Sequence, residues 1–313
     1  MSRFGLILGR TRRGGTPEAA SDSRPTRTSG RRGHASLVGA TVVIWTLVTA
    51  CAAATTTPAA APTAASASAS ASASASVDGH APAGFVALSD VDTTILQDIR
   101  YATDHNFVGR PIAGYSEPLC ILTRQAAEAL HRVQTAALAR GYSLKVYDCY
   151  RPQRAVDDFV RWAQRLDDQR MKAEFYPRVD KSVLFAEGYI GGPTAHSSGS
   201  TMDLTLVAMP PRAQPSYAPG EPLTSCFAPE GQRFPDNTVD MGTGFDCFDS
   251  LAHTLDSRIT GQAMANRLLL QQLMKDAGFN NYAKEWWHYT MAGEPYPKTY
   301  FDFPVARAAL AGS

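Results

Sequence analysis

Apolar and polar positions repeat along the chain with a helical period in three segments, and each segment predicts a helix. The first runs from Thr123, the expected N-cap, to Arg140, and Gly141 follows where a helix stop is expected. A second helical spacing begins just after Pro152, whose ring suits the start of a helix. The third, with a leucine-rich face, covers about residues 261–277.

Three other segments have the composition or the alternation of strands. They are SLKVYDC (143–149), TMDLTLV (201–207) and the aromatic WWHYT (286–290). Helices and strands alternate loosely, which predicts an α+β fold with a mostly antiparallel central sheet and helices packed against it. The connection at residues 208–250 is longer than a simple link between two elements requires, so we expect it to shape a site.

Residues 1–50 have a different character and predict an export signal. They contain eight arginines against two acidic residues, and an uncharged apolar stretch of 16 residues closes the segment at 35–50. That stretch is shorter than the roughly 20 residues of a membrane-spanning helix and is typical of a secretory signal peptide. It ends in VTAC, which resembles a bacterial lipobox. We therefore favour a lipoprotein signal with Cys51 as the lipidated residue over a plain secretory signal.

Residues 51–83 predict a disordered linker, because alanine, serine, threonine and proline dominate them and cannot form a core. The folded domain is predicted over residues 84–313. The leader and linker together predict an exported protein. It would be lipid-anchored at the outer face of the bacterial cell membrane or in the periplasm, or else secreted, and would contact a membrane only through the anchor.

The charge of the body indicates which partners to expect. Outside residues 1–50 the chain has 22 basic and 27 acidic residues, so its body is mildly acidic. Nucleic-acid binding needs a basic face, and we therefore expect no nucleic-acid partner. Nothing in the sequence indicates an oligomeric state.

Besides Cys51 the chain has four cysteines, an even number that suits disulfides in an exported protein. Four cysteines allow three pairings. We favour Cys120–Cys149 and Cys226–Cys247, because each pair closes a modest loop; the alternative is free buried thiols. A cysteine-rich zinc site is not expected, since the sequence has no CxxC pair.

A histidine and an aspartate near one strand indicate a metal site at the sheet. His196 lies in a loop rich in glycine and serine that leads into the strand carrying Asp203. Asp203 and Thr205 share one face of that strand, so Asp203 points where a loop histidine can meet it. Imidazole and carboxylate are ligands of catalytic zinc, which commonly takes three protein ligands. His288, in the last predicted strand, can supply the third.

Glu285 and Arg151 are the candidate catalytic groups. Residues three apart in a regular strand face opposite sides, so Glu285 and His288 reach one site only if the chain bends or Glu285 precedes the strand. A carboxylate beside a metal ion can act as general base; the alternative is a surface ion pair. Arg151, fixed by Pro152 after a strand, suits a cation that stabilises an oxyanion; the alternative is a structural ion pair.

Five segments together resemble the zinc D-alanyl-D-alanine dipeptidases, peptidase family M15, which include the vancomycin-resistance dipeptidase. They are RYATDHNFVGRPIAGY, VYDCYRPQRAV, GYIGGPTAHSSGSTMDLTL, MGTGFDCFD and EWWHYTMAGEPYPKTYFDFPV. The likeness runs from about Ile99 to Val305. It implies hydrolysis of a small D,D-dipeptide, D-alanyl-D-alanine, to two D-alanine molecules, in cell-wall peptide turnover or scavenging. It also implies one Zn²⁺ per subunit, bound by His196, Asp203 and His288.

The resemblance also implies roles for the remaining site residues. Glu285 would be the general base and Arg151 the residue that stabilises the transition state. Asp246, in GFDCFD, matches the carboxylate that receives the free amino group of the dipeptide. The resemblance places three aromatic residues at pocket positions: Tyr101, Tyr115 and Phe159. The chain departs from the family at Thr194, where serine is usual, and at Ser198, where arginine is frequent. Thr194 keeps a hydroxyl, whereas Ser198 and the bulkier Thr201 bear on substrate preference and leave the metal set intact.

Two alternatives remain beside a dipeptidase. The nearest is a D,D- or L,D-carboxypeptidase acting on peptidoglycan stem peptides, whose cleft must leave room for a long acyl donor. Asp246 together with a closed pocket would favour the dipeptidase. The second is a tethered binding module that holds zinc without turnover. The presence of both Glu285 and Arg151 argues against it.

Overall fold

The computed structural model describes residues 79–310. The predicted signal peptide, Cys51 and nearly all of the predicted linker lie outside the described residues. Among residues 79–310, no helix is both long enough and apolar enough to cross a bilayer.

The described residues form an α+β fold whose elements follow the predicted order. The strands and α-helices are β1 (Phe85–Ala87), β2 (Leu96–Gln97), β3 (Ile121–Thr123), α1 (Arg124–Leu138), β4 (Tyr142–Asp148), α2 (Gln153–Gln164), α3 (Lys172–Phe175), β5 (Thr201–Ala208), α4 (Gly261–Asp276), β6 (Phe279–Asn281) and β7 (His288–Met291). Every helix and strand predicted from the hydrophobic pattern is present, although β7 begins only at His288 and leaves Trp286 and Trp287 in the preceding turn.

The central sheet is mixed, which corrects the expectation of a mostly antiparallel sheet. Its five strands lie in the order β2-β4-β5-β7-β6, and β2 runs parallel to β4. The cause is the connection between these strands. The chain leaves β2, forms α1, and returns to the sheet in the same direction, which is the crossover that parallel strands require. A separate two-stranded sheet pairs β1 with β3.

Helix α1 supports the sheet and begins and ends as its sequence predicts. The Thr123 hydroxyl accepts a hydrogen bond from Ala126 N at the first turn, and Gly141 follows the helix with a φ of +79°. The apolar stripe of the helix is fully buried, including Leu130 and Val133. This stripe packs against β4 and α4, so that the middle of the sheet is covered on that side.

Two disulfides join loops to the elements around the sheet. Cys120 is bonded to Cys149, and Cys226 is bonded to Cys247, with Cα–Cα distances of 5.3 and 5.5 Å. These are the two pairings that the spacing of the cysteines favours. One bridge ends at the C-terminal end of β4, and the other lies in the long connection after β5.

Candidate active site

The centre of the site is built from two neighbouring strands and one turn. Asp203 in β5 is directly paired with His288, the first residue of β7. His196 lies in a 3-10 turn, Ala195–Ser198, that leads into β5. Gly199 ends this turn with a φ of +85°, and a Cβ there would collide with the ring of Phe85. Only glycine therefore lets the chain turn sharply enough to bring His196 over β5.

The three predicted ligands are brought together within hydrogen-bonding distance of one another. His196 Nε2 lies 3.3 Å from Asp203 Oδ1, and His288 Nδ1 lies 3.1 Å from the same oxygen. The two imidazole nitrogens are 3.2 Å apart. Ligands held tetrahedrally at about 2.0–2.1 Å from a zinc ion are roughly 3.3 Å from one another, so the donor set has the spacing of such a site.

Two further observations indicate that these atoms suit a metal ion. Asp203 Oδ1 is buried, yet it accepts no well-aligned hydrogen bond within the described part of the chain. A buried acceptor without a partner is costly, and a cation would satisfy it. The Nδ1–H of His196 donates to Cys149 O at 2.7 Å, which leaves Nε2 with a free lone pair.

The pKa of Asp203 agrees with a ligand role. Burial alone would raise the pKa of this carboxyl, but the neighbouring His196 and His288 outweigh burial and hold it well below its ordinary value. Asp203 is therefore a carboxylate at neutral pH, the form in which it can bind a metal ion.

Glu285 precedes β7, which resolves the problem of its spacing from His288. It lies in the turn between β6 and β7, where its N–H donates to Tyr282 O at 2.9 Å. Its Oε2 lies 3.5 Å from His288 Nδ1, so both side chains face the same cleft. Burial in the cleft wall, with the nearby Asp203 carboxylate, raises the pKa of Glu285 to about 7, although the charge of His288 opposes this. A carboxyl group with this pKa can both accept and return a proton near neutral pH.

Arg151 is held over the ligands by a buried carboxylate, Asp148. Asp148 Oδ2 accepts from Arg151 Nε at 2.9 Å and lies 2.8 Å from Nη2, and its other oxygen accepts from the Tyr115 hydroxyl at 2.5 Å. The guanidinium also lies 3.6 Å from Asp203 Oδ2. A fully buried carboxylate thus fixes the direction in which Arg151 presents its remaining N–H groups.

Asp148 was not predicted from the sequence, although one feature indicates it. It is an acidic residue at the end of a buried strand, where an unpaired charge would be costly. A register shift in the β4–β5 ladder between Val146 and Asp148 pairs Asp148 with Asp203. Bulges of this kind re-aim side chains, and this one brings Asp148 and Asp203 to the same end of the site.

Asp246 lies deep in the cleft in an unusual backbone conformation. Its φ is +55°, and its Oδ2 accepts a hydrogen bond of 2.8 Å from the Tyr101 hydroxyl. Burial, together with the charge of Asp203, raises the pKa of Asp246 well above its ordinary value. A cation placed beside this carboxyl would stabilise its charged form, so the position is suited to an ammonium group.

The cleft between these groups has a volume of about 320 Å³. Phe159 and Tyr101 line it, and Arg151 lies over both rings, 5.4 and 5.0 Å from their centroids. Tyr115, predicted at a pocket position, does not line the cleft and contacts Asp148 behind it. Part of the lining was not predicted, because it comes from loops without a periodic pattern: Tyr189, Ile190, Phe248 and Tyr282.

Comparisons with known proteins identify the family to which the chain is similar. Residues 81–210 and 211–306 match the model of the M15 peptidase family described as D-ala-D-ala dipeptidase. The chain is 37% identical to a D-alanyl-D-alanine dipeptidase of Enterococcus faecalis over 223 residues, which cover 71% of this chain and 98% of the relative. It is also 37% identical to one of Streptomyces coelicolor over 222 residues, with the same coverage. A D-alanyl-D-alanine dipeptidase of Escherichia coli is 28% identical over 62% of this chain and 77% of the relative.

Proposed function

The chain belongs to the D-Ala-D-Ala dipeptidase family of M15 peptidases, and from this we propose that it hydrolyses D-alanyl-D-alanine to two D-alanine molecules. Cell-wall peptide turnover or scavenging is the process we assign to it. The convergence of His196, Asp203 and His288 beside Glu285 is the observation that carries the proposal. These side chains combine a metal-ligand set with an adjacent proton acceptor in one cleft.

We assign the three ligands to one zinc ion per chain. Two imidazole nitrogens and one carboxylate oxygen, spaced as described above, are the donors that would hold a catalytic zinc ion. When bound, zinc supplies the Lewis acidity that activates water and polarises a carbonyl group. Cys149 O orients His196 through its Nδ1–H, and the β5–β7 pairing fixes Asp203 against His288.

Glu285 is assigned the proton transfers. Its carboxylate takes a proton from the attacking water and delivers it to the amide nitrogen, which then leaves as the amine of the second D-alanine. The pKa of about 7 suits both directions of transfer at neutral pH. The turn before β7 places Oε2 on the same side of the cleft as the ligand atoms, so water held there is within reach.

We assign Arg151 the role of stabilising the negative charge that develops on the carbonyl oxygen during attack. Asp148 holds Nε and Nη2 from one side, which leaves guanidinium N–H groups to face the cleft. A donor fixed before the reaction stabilises an oxyanion more effectively than one that must be ordered during it. The rings of Tyr101 and Phe159 pack against the guanidinium and hold its plane.

We assign Asp246 the role of binding the substrate's free ammonium group. Asp246 is mostly buried, at 5% exposure, and it lines the cleft. Tyr101 donates its hydroxyl to one carboxyl oxygen, so the other oxygen remains available to accept from an ammonium. An acidic group at this depth selects short substrates with an unblocked amino terminus, because an acylated nitrogen brings no charge to pair with it.

The experiment that tests this function compares D-Ala-D-Ala with its N-acetylated form. We expect cleavage of the free dipeptide and none of the acetylated one. Cleavage of both substrates would instead support a D,D- or L,D-carboxypeptidase acting on stem peptides. Cleavage of neither by protein that has bound zinc would support a binding module and contradict the proposal.

We assign the protein to the outside of the bacterial cytoplasm, anchored through lipidated Cys51. Two disulfides in the folded domain support export, because disulfides persist in oxidising compartments. The leader sequence before Cys51 supports it independently. Membrane fractionation tests the anchor. Cys51→Ala should move the protein from the membrane fraction to the soluble fraction, and an unchanged membrane fraction would refute the anchor.

A further inference from the structure

One residue, Cys226, holds the chain on both sides of Asp246. On the amino-terminal side, Gly244 N–H donates to Cys226 O at 2.7 Å. On the carboxyl-terminal side, Cys247 is joined to Cys226 by a disulfide. The segment that contains Asp246 is therefore closed into a small ring by one hydrogen bond and one covalent bond, both to the same residue.

Asp246 needs this support more than an ordinary loop residue does. Its φ of +55° lies in the left-handed region, which residues other than glycine rarely adopt. Such a conformation persists only where the surrounding structure enforces it. Within residues 79–310, the only hydrogen-bond donor to the Asp246 side chain is the Tyr101 hydroxyl, so the side chain adds little to hold the backbone in place.

The anchor of this ring is itself fixed to the fold. Cys226 N–H donates to Glu174 O at 2.9 Å, and Phe248 N–H, just beyond the ring, donates to Phe175 O at 2.8 Å. Both acceptors belong to α3, the short helix at Lys172–Phe175. Both half-cystines are almost completely buried, at 4% and 1% exposure. The disulfide therefore fixes the backbone of Asp246 relative to α3.

We propose that the Cys226–Cys247 disulfide positions Asp246 for binding the substrate's ammonium group, so that affinity for the free dipeptide depends on this disulfide. The inference rests on the proposed function. Without the bond, Asp246 relaxes toward a negative φ and its carboxylate moves from the place where the ammonium binds. The metal ligands, Glu285 and Arg151 lie on other segments and keep their positions.

This role predicts a change in KM with little change in kcat. In Cys226→Ala/Cys247→Ala, we expect KM for D-Ala-D-Ala to rise about tenfold, the factor that fixing the backbone of one residue is worth. The kcat should stay within about twofold and zinc content should be unchanged. The dissociation constant of the dipeptide, measured by calorimetry on chains that also carry Glu285→Gln, should rise by the same factor.

A matched control separates positioning from loss of stability. Leu130→Ala truncates a fully buried side chain in α1, far along the chain from the Asp246 ring, and destabilises the same domain. Its KM should equal that of the wild type at a temperature where both variants are folded. If KM rises in Leu130→Ala as much as in the double cysteine variant, the disulfide has only a structural role and the inference is overturned.

A second measurement uses reduction of an already folded chain, in case the double variant does not fold. In a Cys120→Ala/Cys149→Ala background only the Cys226–Cys247 bond remains in the folded domain. Dithiothreitol gives this bond two electrons and two protons, which yields two thiols and cyclic oxidised dithiothreitol. The oxidised form of the same chain is the control. KM should rise on reduction and return on reoxidation, with the two thiols verified by alkylation and mass measurement.

The possible failures are distinguishable. If the oxidised wild-type chain does not hydrolyse D-Ala-D-Ala, the proposed function and this inference both fall. If the wild type is active and Asp246→Asn raises KM, but KM is the same with and without the disulfide, only the inference is overturned.

Discussion

Asp203 and His288 are direct neighbours across the β5–β7 ladder, and their facing atoms, Oδ1 and Nδ1, are 3.1 Å apart. Two backbone strands therefore fix two of the three proposed metal ligands. The third proposed ligand, His196, lies in a turn that Gly199 ends, and its Nδ1–H donates to Cys149 O. A site preformed in this way binds a metal ion without having to order its ligands first.

The first prediction concerns the metal ligands. His196→Ala removes one of three ligand atoms, so the purified variant should contain little zinc, while the wild type should contain one zinc per chain. Elemental analysis after dialysis measures this. His131→Ala is the control, because His131 is a half-exposed residue of α1 that pairs with Asp92. Full zinc occupancy in His196→Ala would remove His196 from the ligand set.

The second prediction concerns the base. Glu285→Gln keeps the shape of the side chain but cannot accept a proton, so kcat should fall by about 10²- to 10⁴-fold while zinc content is retained. Steady-state kinetics and elemental analysis on the same preparation measure both. Glu187→Gln is the control, since Glu187 is exposed and borders a neighbouring cavity instead of the cleft. A Glu285→Gln chain as active as the wild type would rule out the base role.

The third prediction concerns Arg151. Arg151→Lys keeps the positive charge but loses the planar fork that engages Asp148 and the cleft together, so we expect kcat to fall by about 10²-fold or more. KM should change much less, because the interaction is strongest in the transition state. Arg154→Lys is the control, because Arg154 lies on α2 and forms an exposed ion pair with Asp302. Equal kcat in Arg151→Lys and the wild type would contradict the assignment.

The fourth prediction concerns acid stability away from the cleft. Burial raises the pKa of Asp98, but the charges of Arg100 and Lys145 outweigh it and hold the pKa at about 2, below the ordinary value of 3.8. Because the folded pKa is the lower one, the Asp98 carboxylate stabilises the protein above about pH 4, and this contribution is lost as the pH falls through 2.

Urea unfolding at pH 6 and pH 3 measures the effect. Between these two pH values the wild type should lose about 1 kcal/mol more of its free energy of unfolding than Asp98→Asn does. Asp157→Asn, which alters an exposed carboxylate on α2, should lose as much as the wild type. An equal loss in Asp98→Asn and the wild type would show that Asp98 does not contribute.

The sequence predicted those features that depend on local patterns. Helices α1 and α4 follow from apolar spacing and stop residues, and β5 follows from the alternation that also places Asp203 on its polar face. The meeting of Asp203 with His196 and His288 was predicted because a loop, a strand and an aromatic segment each carried a group that is costly to bury.

Other features depend on tertiary contacts, which a pattern does not contain. Strand β2 has two residues and exists only because it pairs with β4, so its parallel direction had no sequence marker. The register shift that brings Asp148 behind Arg151 is likewise set by the partner strand. Tyr115 was assigned to the pocket from resemblance alone. Its short hydrogen bond to Asp148 keeps it out of the cleft lining.

The most direct test of the central claim is a zinc titration of metal-stripped protein with D-Ala-D-Ala as substrate. We predict that the metal-free chain is inactive and that release of D-alanine rises in proportion to added zinc until one ion is bound per chain. Release of D-alanine at full rate by the metal-free chain, or no release at any zinc concentration, would contradict the account.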